Sequence, residues 1–281
     1  MKFILTGHKG LIGSFLLKRL MERGDTPLLL IDKREGKDIL DIGSNQLIEK
    51  ADIFIHLASF CKINKTIEDP ELAFQNNVMG TFKVLEFCRK NKISKIVFTS
   101  SSRVLSKEKN PYTASKFYGE ELIKSYSECY GLKYVIIRPS TVYGPFNDKT
   151  RRLMDVFIIN ALKGEELKIF GDNDKTLDFT FIDDFLDGFL IAMNQNNDNF
   201  NISFGEEVNI SRVADIIISL TGKGTKSFCP AEKAQPQKVK VDISKIKKLG
   251  YSPKIKIEEG IKKTFDWYKE NFKEIENRND F

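Results

Sequence analysis

No stretch of the sequence approaches the roughly 18 uninterrupted apolar residues that a membrane-spanning helix needs. The first residues, Met1-Lys2-Phe3-Ile4-Leu5-Thr6, run straight into a glycine turn without the layout of a secretion signal. Together these absences predict a soluble, cytoplasmic protein with no membrane partner. Cysteine is scarce and scattered: Cys61, Cys88, Cys129 and Cys229 form no C-x-x-C pair, and only two histidines could join them. Neither a structural zinc site nor a disulfide framework is expected, and no metal is assigned. Internal repeats, low-complexity tracts and Pro/Ser linkers are also missing, so any two lobes should share an extensive interface. An excess of one charge is missing from most of the chain. Residues 1–222 carry 30 Lys/Arg and 30 Asp/Glu, whereas residues 223–281 carry 15 and 9, so the whole net charge of +6 sits at the C-terminal end. Aromatic residues are not interleaved with those lysines as a base-stacking platform requires, which argues against nucleic acid. A solvated lysine-rich face and a lobe that attracts an anionic substrate both remain open.

What is present is enough for a large core: 281 residues, 41% of them hydrophobic and 30% charged, should bury roughly 75% of the unfolded surface. Near-continuous apolar runs at 2–6, 27–32, 52–57, 94–99 and 132–138 read as strands covered on both faces. Between them, 11–23, 70–91 and 112–130 carry apolar residues at helical spacing. This alternation predicts an α/β fold with a doubly wound parallel sheet, the Rossmann arrangement. After Arg138-Pro139 the pattern loosens into a helix near 150–163, short strands near 167–170 and 179–182, and helices near 184–194, 211–221 and 257–272. A nucleotide-binding domain over 1–145, receiving short returning segments near 179–203, and a smaller C-terminal α/β substrate lobe over 146–281 are expected. The polar tail 274–281 is expected to fray.

Two motifs carry chemistry. Gly7, Gly10 and Gly13 form G-x-x-G-x-x-G between the first strand and the first helix, where a dinucleotide fingerprint belongs. Gly7 permits a tight turn, Gly10 lets backbone approach a pyrophosphate, and Gly13 lets helix and strand pack closely. The helix start at Leu11 and Ile12 then offers free N–H groups to the anion. Asp32 closes the second strand 19 residues after Gly13, where a carboxylate accepts from an adenosine ribose diol. That favours NAD, while Lys9, Lys33 and Arg34 keep NADP possible because they could meet a 2'-phosphate. The second motif is Tyr112-Thr113-Ala114-Ser115-Lys116, which places a phenol and an ammonium one helical turn apart. A free phenol titrates near 10, too high for a base at neutral pH, and a neighbouring cation lowers it. The hydroxyl run Thr99-Ser100-Ser101-Ser102 at the end of the fourth strand lies where α/β sheets place ligands.

With these residues the chain resembles the extended short-chain dehydrogenase/reductase family, in particular its NAD-dependent sugar-nucleotide epimerases, dehydratases and ketoreductases. Similar segments include TGHKGLIGS at 6–14, His56-Leu57-Ala58, Asn77-Val78-Met79-Gly80-Thr81, TSSSRV at 99–104, PYTASK at 111–116, RPSTVYGP at 138–145, DFTFIDD at 178–184 and DISKIKKLGYSP at 242–253. The resemblance implies that Ser101 orients the substrate, Tyr112 is the acid/base, and Lys116 holds the nicotinamide ribose and lowers the tyrosine pKa. It also implies that Asp41 and Ile42 lie along the adenine, Leu57 and Ala58 pass under the pyrophosphate, and Pro139 and Ser140 approach the nicotinamide. His56 is expected to be a satisfied core histidine. A homodimer through the helices 70–91 and 112–130 is implied on the same ground.

The departures from the family pattern concern the substrate. Where dehydratases carry an acidic pair after the active-site hydroxyl, this chain has Ser102 and Arg103, which disfavours dehydration. Only 11 positions separate Ser101 from Tyr112. The arginine that commonly grips the substrate diphosphate is replaced by Leu177, and a later one by Gln235. Ser102 and the lysines Lys233, Lys238 and Lys240 are therefore the expected substrate-binding residues. The expected activity is hydride transfer at C4 of a nucleotide-linked sugar, by an epimerase that keeps its cofactor or by a ketoreductase that releases it. Asp32 leans towards the epimerase; the short Ser101–Tyr112 connection and the basic Lys9, Lys33 and Arg34 lean towards the reductase. A dinucleotide-sensing protein without turnover is the reading from another class.

Overall fold

The structure, a computed structural model, describes residues 1–43 and 49–276. The first half runs β1 (Lys2–Thr6), α1 (Leu11–Glu22), β2 (Thr26–Ile31), β3 (Ile53–His56), α2 (Ile63–Glu68), α3 (Pro70–Ala73), α4 (Gly80–Lys90), β4 (Lys95–Thr99), α5 (Pro111–Tyr130) and β5 (Lys133–Pro139). The second half runs β6 (Thr141–Tyr143), α6 (Leu153–Lys163), β7 (Glu166–Phe170), β8 (Thr176–Leu177), β9 (Phe179–Phe181), α7 (Ile182–Met193), β10 (Asp198–Ile202), β11 (Val208–Asn209), α8 (Ile210–Thr221), β12 (Thr225–Cys229), α9 (Ser244–Lys247), α10 (Ile257–Glu270) and α11 (Phe272–Glu276).

Six strands form one parallel sheet in the order β10-β5-β4-β3-β1-β2. Because successive side chains of a strand point to opposite faces, each strand feeds two cores. Phe3, Leu5, Ile53, Ile55, Val97, Val135 and Ile137 join the core beneath α1 and α7 that continues into the second half. Ile4, Phe54, Ile96, Phe98 and Ile136 pack beneath α4 and α5. The chain leaves β1 towards β2 on one side while β3 pairs on the other, so a crevice opens at the carboxyl ends of β1 and β3.

Several elements differ from the expectation. The helix expected over 70–91 is interrupted: Phe74–Met79 is π-helical between α3 and α4. The helix expected from 184 starts at Ile182, directly after β9. β10 has too little apolar content to be drawn as a strand, but it falls within the segments near 179–203 expected to return to the first half, and it is the sixth strand of the sheet, pairing with β5 from Asp198↔Val135 to Ile202↔Pro139. The smaller strands make pairs β6/β9, β7/β12 and β8/β11 away from the main sheet. Of the tail expected to fray, residues up to Glu276 belong to α11, with Ile275 only 2% exposed, and 277–281 lie outside the described residues. No helix among the described residues is long and apolar enough to cross a membrane.

Candidate active site

The glycine turn is shaped by backbone contacts that admit no side chain. Gly7 has φ +77°, and a Cβ there would lie 2.8 Å from the Ala58 nitrogen; one on Gly13 would lie 2.1 Å from the Gly7 carbonyl oxygen. Neither neighbour can yield, being backbone. At Gly10 the nearest atom to a Cβ is 3.4 Å away, so this point of the turn stands clear. The first bond within α1 runs from Ser14 N to Gly10 O, which leaves the N–H groups of Leu11, Ile12 and Gly13 without helical partners. Beneath the turn, Ala58 N donates to Thr6 Oγ1 at 3.1 Å, Thr6 lies 2.8 Å from His56 Nδ1, and His56 Nε2 lies 3.3 Å from Thr81 Oγ1. Burial pushes His56 down to about 3, so it is neutral and structural and ties the Leu57–Ala58 strand end to β1.

Asp32 accepts from Lys9 N at 2.9 Å and from Arg34 N at 3.0 Å, one bond to each oxygen. A carboxylate offers about four lone-pair positions, so two remain for a ribose diol. The cations around it are engaged elsewhere. Lys9 pairs with Glu35 at 2.7 Å, Lys33 with Asp38 at 2.9 Å, and Arg34 donates to the Lys9 carbonyl at 2.6 Å. Asp41 is exposed and Ile42 half-buried at the edge of the α4 side, next to residues 44–48, which lie outside the described set. Two buried polar atoms near the crevice, His8 Nδ1 and Thr99 Oγ1, have no partner in the protein. Free helix N–H groups, an Asp32 with spare acceptors and these orphaned atoms fit a bound dinucleotide.

Ser101, Tyr112 and Lys116 come together at the carboxyl end of β4, all three buried. The Asn110 side chain accepts from Thr113 N at 2.9 Å and Pro111 opens α5, so the helix starts one residue before the tyrosine. Burial pushes the Tyr112 phenol up to about 12; the nearby Cys61 thiol adds to the rise, while the Ser101 hydroxyl, Arg103 and Arg152 pull it down. Burial likewise pushes Lys116 down to about 8. Its ammonium donates to the Thr99 carbonyl at 2.8 Å and lies 5.0 Å from the Phe98 ring centre. In the protein alone, then, the phenol is protonated at neutral pH, and Lys116 is seated against β4. Pro139 and Ser140 are half-buried at the neighbouring end of β5, and Ser102 is buried beside Ser101.

Some site residues carried no readable signal. Asn77, in the π-helical segment, donates to Ser115 Oγ at 2.9 Å and to Phe60 O at 3.0 Å and accepts from Phe60 N at 2.8 Å. It thereby joins the loop after β3 to α5; Asn77 stood out only within the family resemblance, with no role attached. On the opposite wall, Glu232 accepts from Asn64 at 2.6 Å, Gln235 donates to Asn64 at 3.1 Å, and Asn110 donates to the Ala234 carbonyl at 3.1 Å, so the 232–235 loop closes on the first half. Lys175, two residues before Leu177, is only 5% exposed, donates to Phe170 O at 2.5 Å and lies 3.6 Å from Glu232. By contrast Lys233, Lys238 and Lys240 are all exposed.

Comparison with known proteins agrees with this geometry. The NAD dependent epimerase/dehydratase family matches residues 3–210. A putative UDP-glucose 4-epimerase of Methanocaldococcus jannaschii is 32% identical over 300 aligned positions, covering 95% of this chain and 98% of its own. The UDP-glucuronic acid 4-epimerase of Bacillus cereus, solved with UDP-glucuronic acid and NAD, superposes with a TM-score of 0.88 at 27% identity, over 96% of this chain and 99% of that one. The UDP-glucose 4-epimerase of Thermotoga maritima, solved with UDP-glucose, gives 0.86 at 25% identity, over 97% and 100%. A glycine turn facing Asp32, a Ser-Tyr-Lys cluster at the end of β4 and matches over nearly the whole length lead to one conclusion: this chain belongs to the NAD dependent epimerase/dehydratase family.

Proposed function

We propose that the protein is an NAD-dependent epimerase that inverts C4 of a UDP-linked sugar and serves carbohydrate biosynthesis. The observation that carries this reading is the convergence of Ser101, Tyr112 and Lys116 at the end of β4, beside a glycine turn whose nearby lysines, Lys9 and Lys33, are already ion-paired. Paired Lys9 and Lys33 leave Asp32 to meet a free ribose diol, which favours NAD over NADP and the epimerase over the NADP-dependent ketoreductase. NAD, when bound, supplies the acceptor and donor of hydride for C4. Tyr112 takes the proton of the C4 hydroxyl in the oxidative half and returns it in the reductive half, and Ser101 holds that oxygen within reach of the phenol. The Ser101 hydroxyl, Arg103 and Arg152 already pull against the burial that lifts the phenol to about 12, and Lys116, one helical turn on, would with the charge of an oxidised nicotinamide draw it further towards a working range. Relatives that act on UDP-glucose and UDP-glucuronic acid support the substrate class. For the diphosphate, Lys175 is the buried cation of the second half, its pair with Glu232 at 3.6 Å looser than those of Lys9 and Lys33, and Lys233, Lys238 and Lys240 are exposed candidates on the basic C-terminal end.

Two copies are proposed to pair through α4 and α5. Phe74, Phe82, Phe117, Tyr118 and Tyr130, all exposed, lie on these helices or on the π-helical turn leading into α4, and large apolar groups concentrated in one region mark association surfaces.

The test is direct. Denaturing the purified protein should release NAD(H), and incubation with UDP-glucose, UDP-galactose or UDP-glucuronate, without added reductant, should invert C4 as followed by NMR. Release of NADP(H), or turnover only with stoichiometric NADPH, would replace this reading with that of a ketoreductase.

A further inference from the structure

The Arg103 guanidinium is the charged group of the cleft that the proposed C4 chemistry leaves unused. It stands two residues after Ser101 in the short turn Ser102–Leu105, whose start is fixed by Arg103 N donating to Ser101 Oγ at 3.2 Å. Its Nη1 is buried and has no hydrogen-bond partner, and among the described residues no carboxylate forms an ion pair with it. The acids whose fields reach it are committed elsewhere: Glu232 to Asn64 and Lys175, Glu108 to the Ser106 hydroxyl. Arg152, which also acts on Tyr112, is already neutralised by Asp148, its Nε lying 2.6 Å from Oδ2. A buried guanidinium nitrogen without a partner in the protein is costly, and an acceptor on a bound ligand would satisfy it.

We propose that Arg103 binds a carboxylate on the sugar, so that the preferred substrate is a UDP-linked hexuronate. This deepens the C4-epimerase reading and rests on it. Ser101 and Tyr112 are proposed to hold the oxygen of C4, and Arg103 follows Ser101 by two residues, its backbone N–H bonded to Ser101 Oγ at 3.2 Å, so a guanidinium beside that hydroxyl would meet the substituents next to C4. In hexoses C3 carries a hydroxyl, while C5 carries the exocyclic C6, the position at which oxidation produces a carboxylate. A guanidinium takes that group through two parallel N–H···O bonds, which a hydroxymethyl cannot match. Binding a neutral hexose leaves Nη1 unpaired, as it is in the free protein, so the discrimination comes from the charge-assisted bonds that the carboxylate adds.

Calorimetry on the NAD-loaded protein tests the site without turnover. UDP-glucuronate should bind at least about tenfold more tightly than UDP-glucose, about 1.4 kcal/mol. In Arg103→Met that ratio should collapse towards one, and Arg103→Lys, which keeps the charge and loses the fork, should retain part of it. NAD affinity measured on each variant establishes that it is folded. Equal affinity for the two sugars in the unaltered protein, or equal weakening of both in Arg103→Met, overturns the proposal. NMR at C4 separates the two readings. A protein that prefers the uronate without inverting C4 keeps the site and loses the epimerase reading. One that inverts UDP-glucose with no preference for the uronate keeps the epimerase reading and loses the site.

Discussion

Tyr112 and Lys116 share one helical face, and burial moves their pKa values in opposite directions because it disfavours the anion of one and the cation of the other. Tyr112→Phe keeps the ring and deletes only the oxygen that moves the proton, so kcat should fall by about 10²–10⁴ while NAD affinity stays within about twofold. Steady-state kinetics with a cofactor titration checks this; a variant retaining a tenth of the activity, roughly, removes Tyr112 from the acid/base role. Lys116 has a folded pKa near 8 against an ordinary 10.5. Its ammonium is therefore present below about pH 8 and lost above it, and affinity for NAD should fall as pH rises past that point. Stability of the cofactor-free protein should move the other way. Between about 8 and 10.5 the unfolded chain binds the proton that the folded chain has released, so unfolding free energy should rise with pH there. Urea titrations across this window on the protein and on Lys116→Met give the comparison: a rise of the same size in both would assign it to another group.

At the scale of elements, the alternation of apolar runs and amphipathic stretches revealed β1 to β5, α1 and α5 to within one or two residues, because each strand is buried on both faces and each helix on one. The π-helical turn over Phe74–Met79 was not legible, since its cause is tertiary. Asn77 turns inward to hold the loop after β3 and Ser115 of α5, and one helix accommodates this by a local change of pitch. Asn77→Ala leaves Phe60 N and Phe60 O without this partner and should cost about 2–4 kcal/mol, read as a lower urea midpoint. Asn77→Asp keeps the acceptor for Phe60 N and should lie between the two. A midpoint unchanged in Asn77→Ala would show that the clamp contributes nothing to stability.

For the whole molecule, charge and apolar surface are segregated. If α4 and α5 pair two copies, sedimentation at micromolar concentration should give a dimer, and Phe117→Lys, placing a charge at a side chain 55% exposed in the single chain, should give a monomer with unchanged secondary structure. A monomeric unaltered protein would end that proposal. The basic C-terminal end divides in a similar way. Lys175→Met should raise KM for the UDP-sugar by about tenfold, and neutralising Lys233, Lys238 or Lys240 singly by less than about threefold, because screening by water and salt weakens an exposed cation far more than a buried one. The reverse order would return the diphosphate to the exposed lysines.

Local pattern determined the parallel sheet, the glycine turn and the one-turn spacing of Tyr112 and Lys116, because strand period, helix pitch and the steric freedom of glycine act over a few residues, whereas only the family resemblance singles out Ser101 from its hydroxyl run. Only the tertiary structure decided which charges are available. Lys9, Lys33 and Arg34 read as free cations along the chain, and their partners Glu35, Asp38 and the Lys9 carbonyl are set by how the turn after β2 folds back on the glycine loop. Lys175 and Arg103 look like any other basic residues in the sequence; Lys175 is buried among Phe170, Gly171 and Glu232, and Arg103 has its Nη1 buried, through contacts that no local pattern encodes. β10 likewise enters the sheet because β5 offers an unpaired edge, a pairing between positions 63 residues apart at Asp198↔Val135 that short-range periodicity cannot encode.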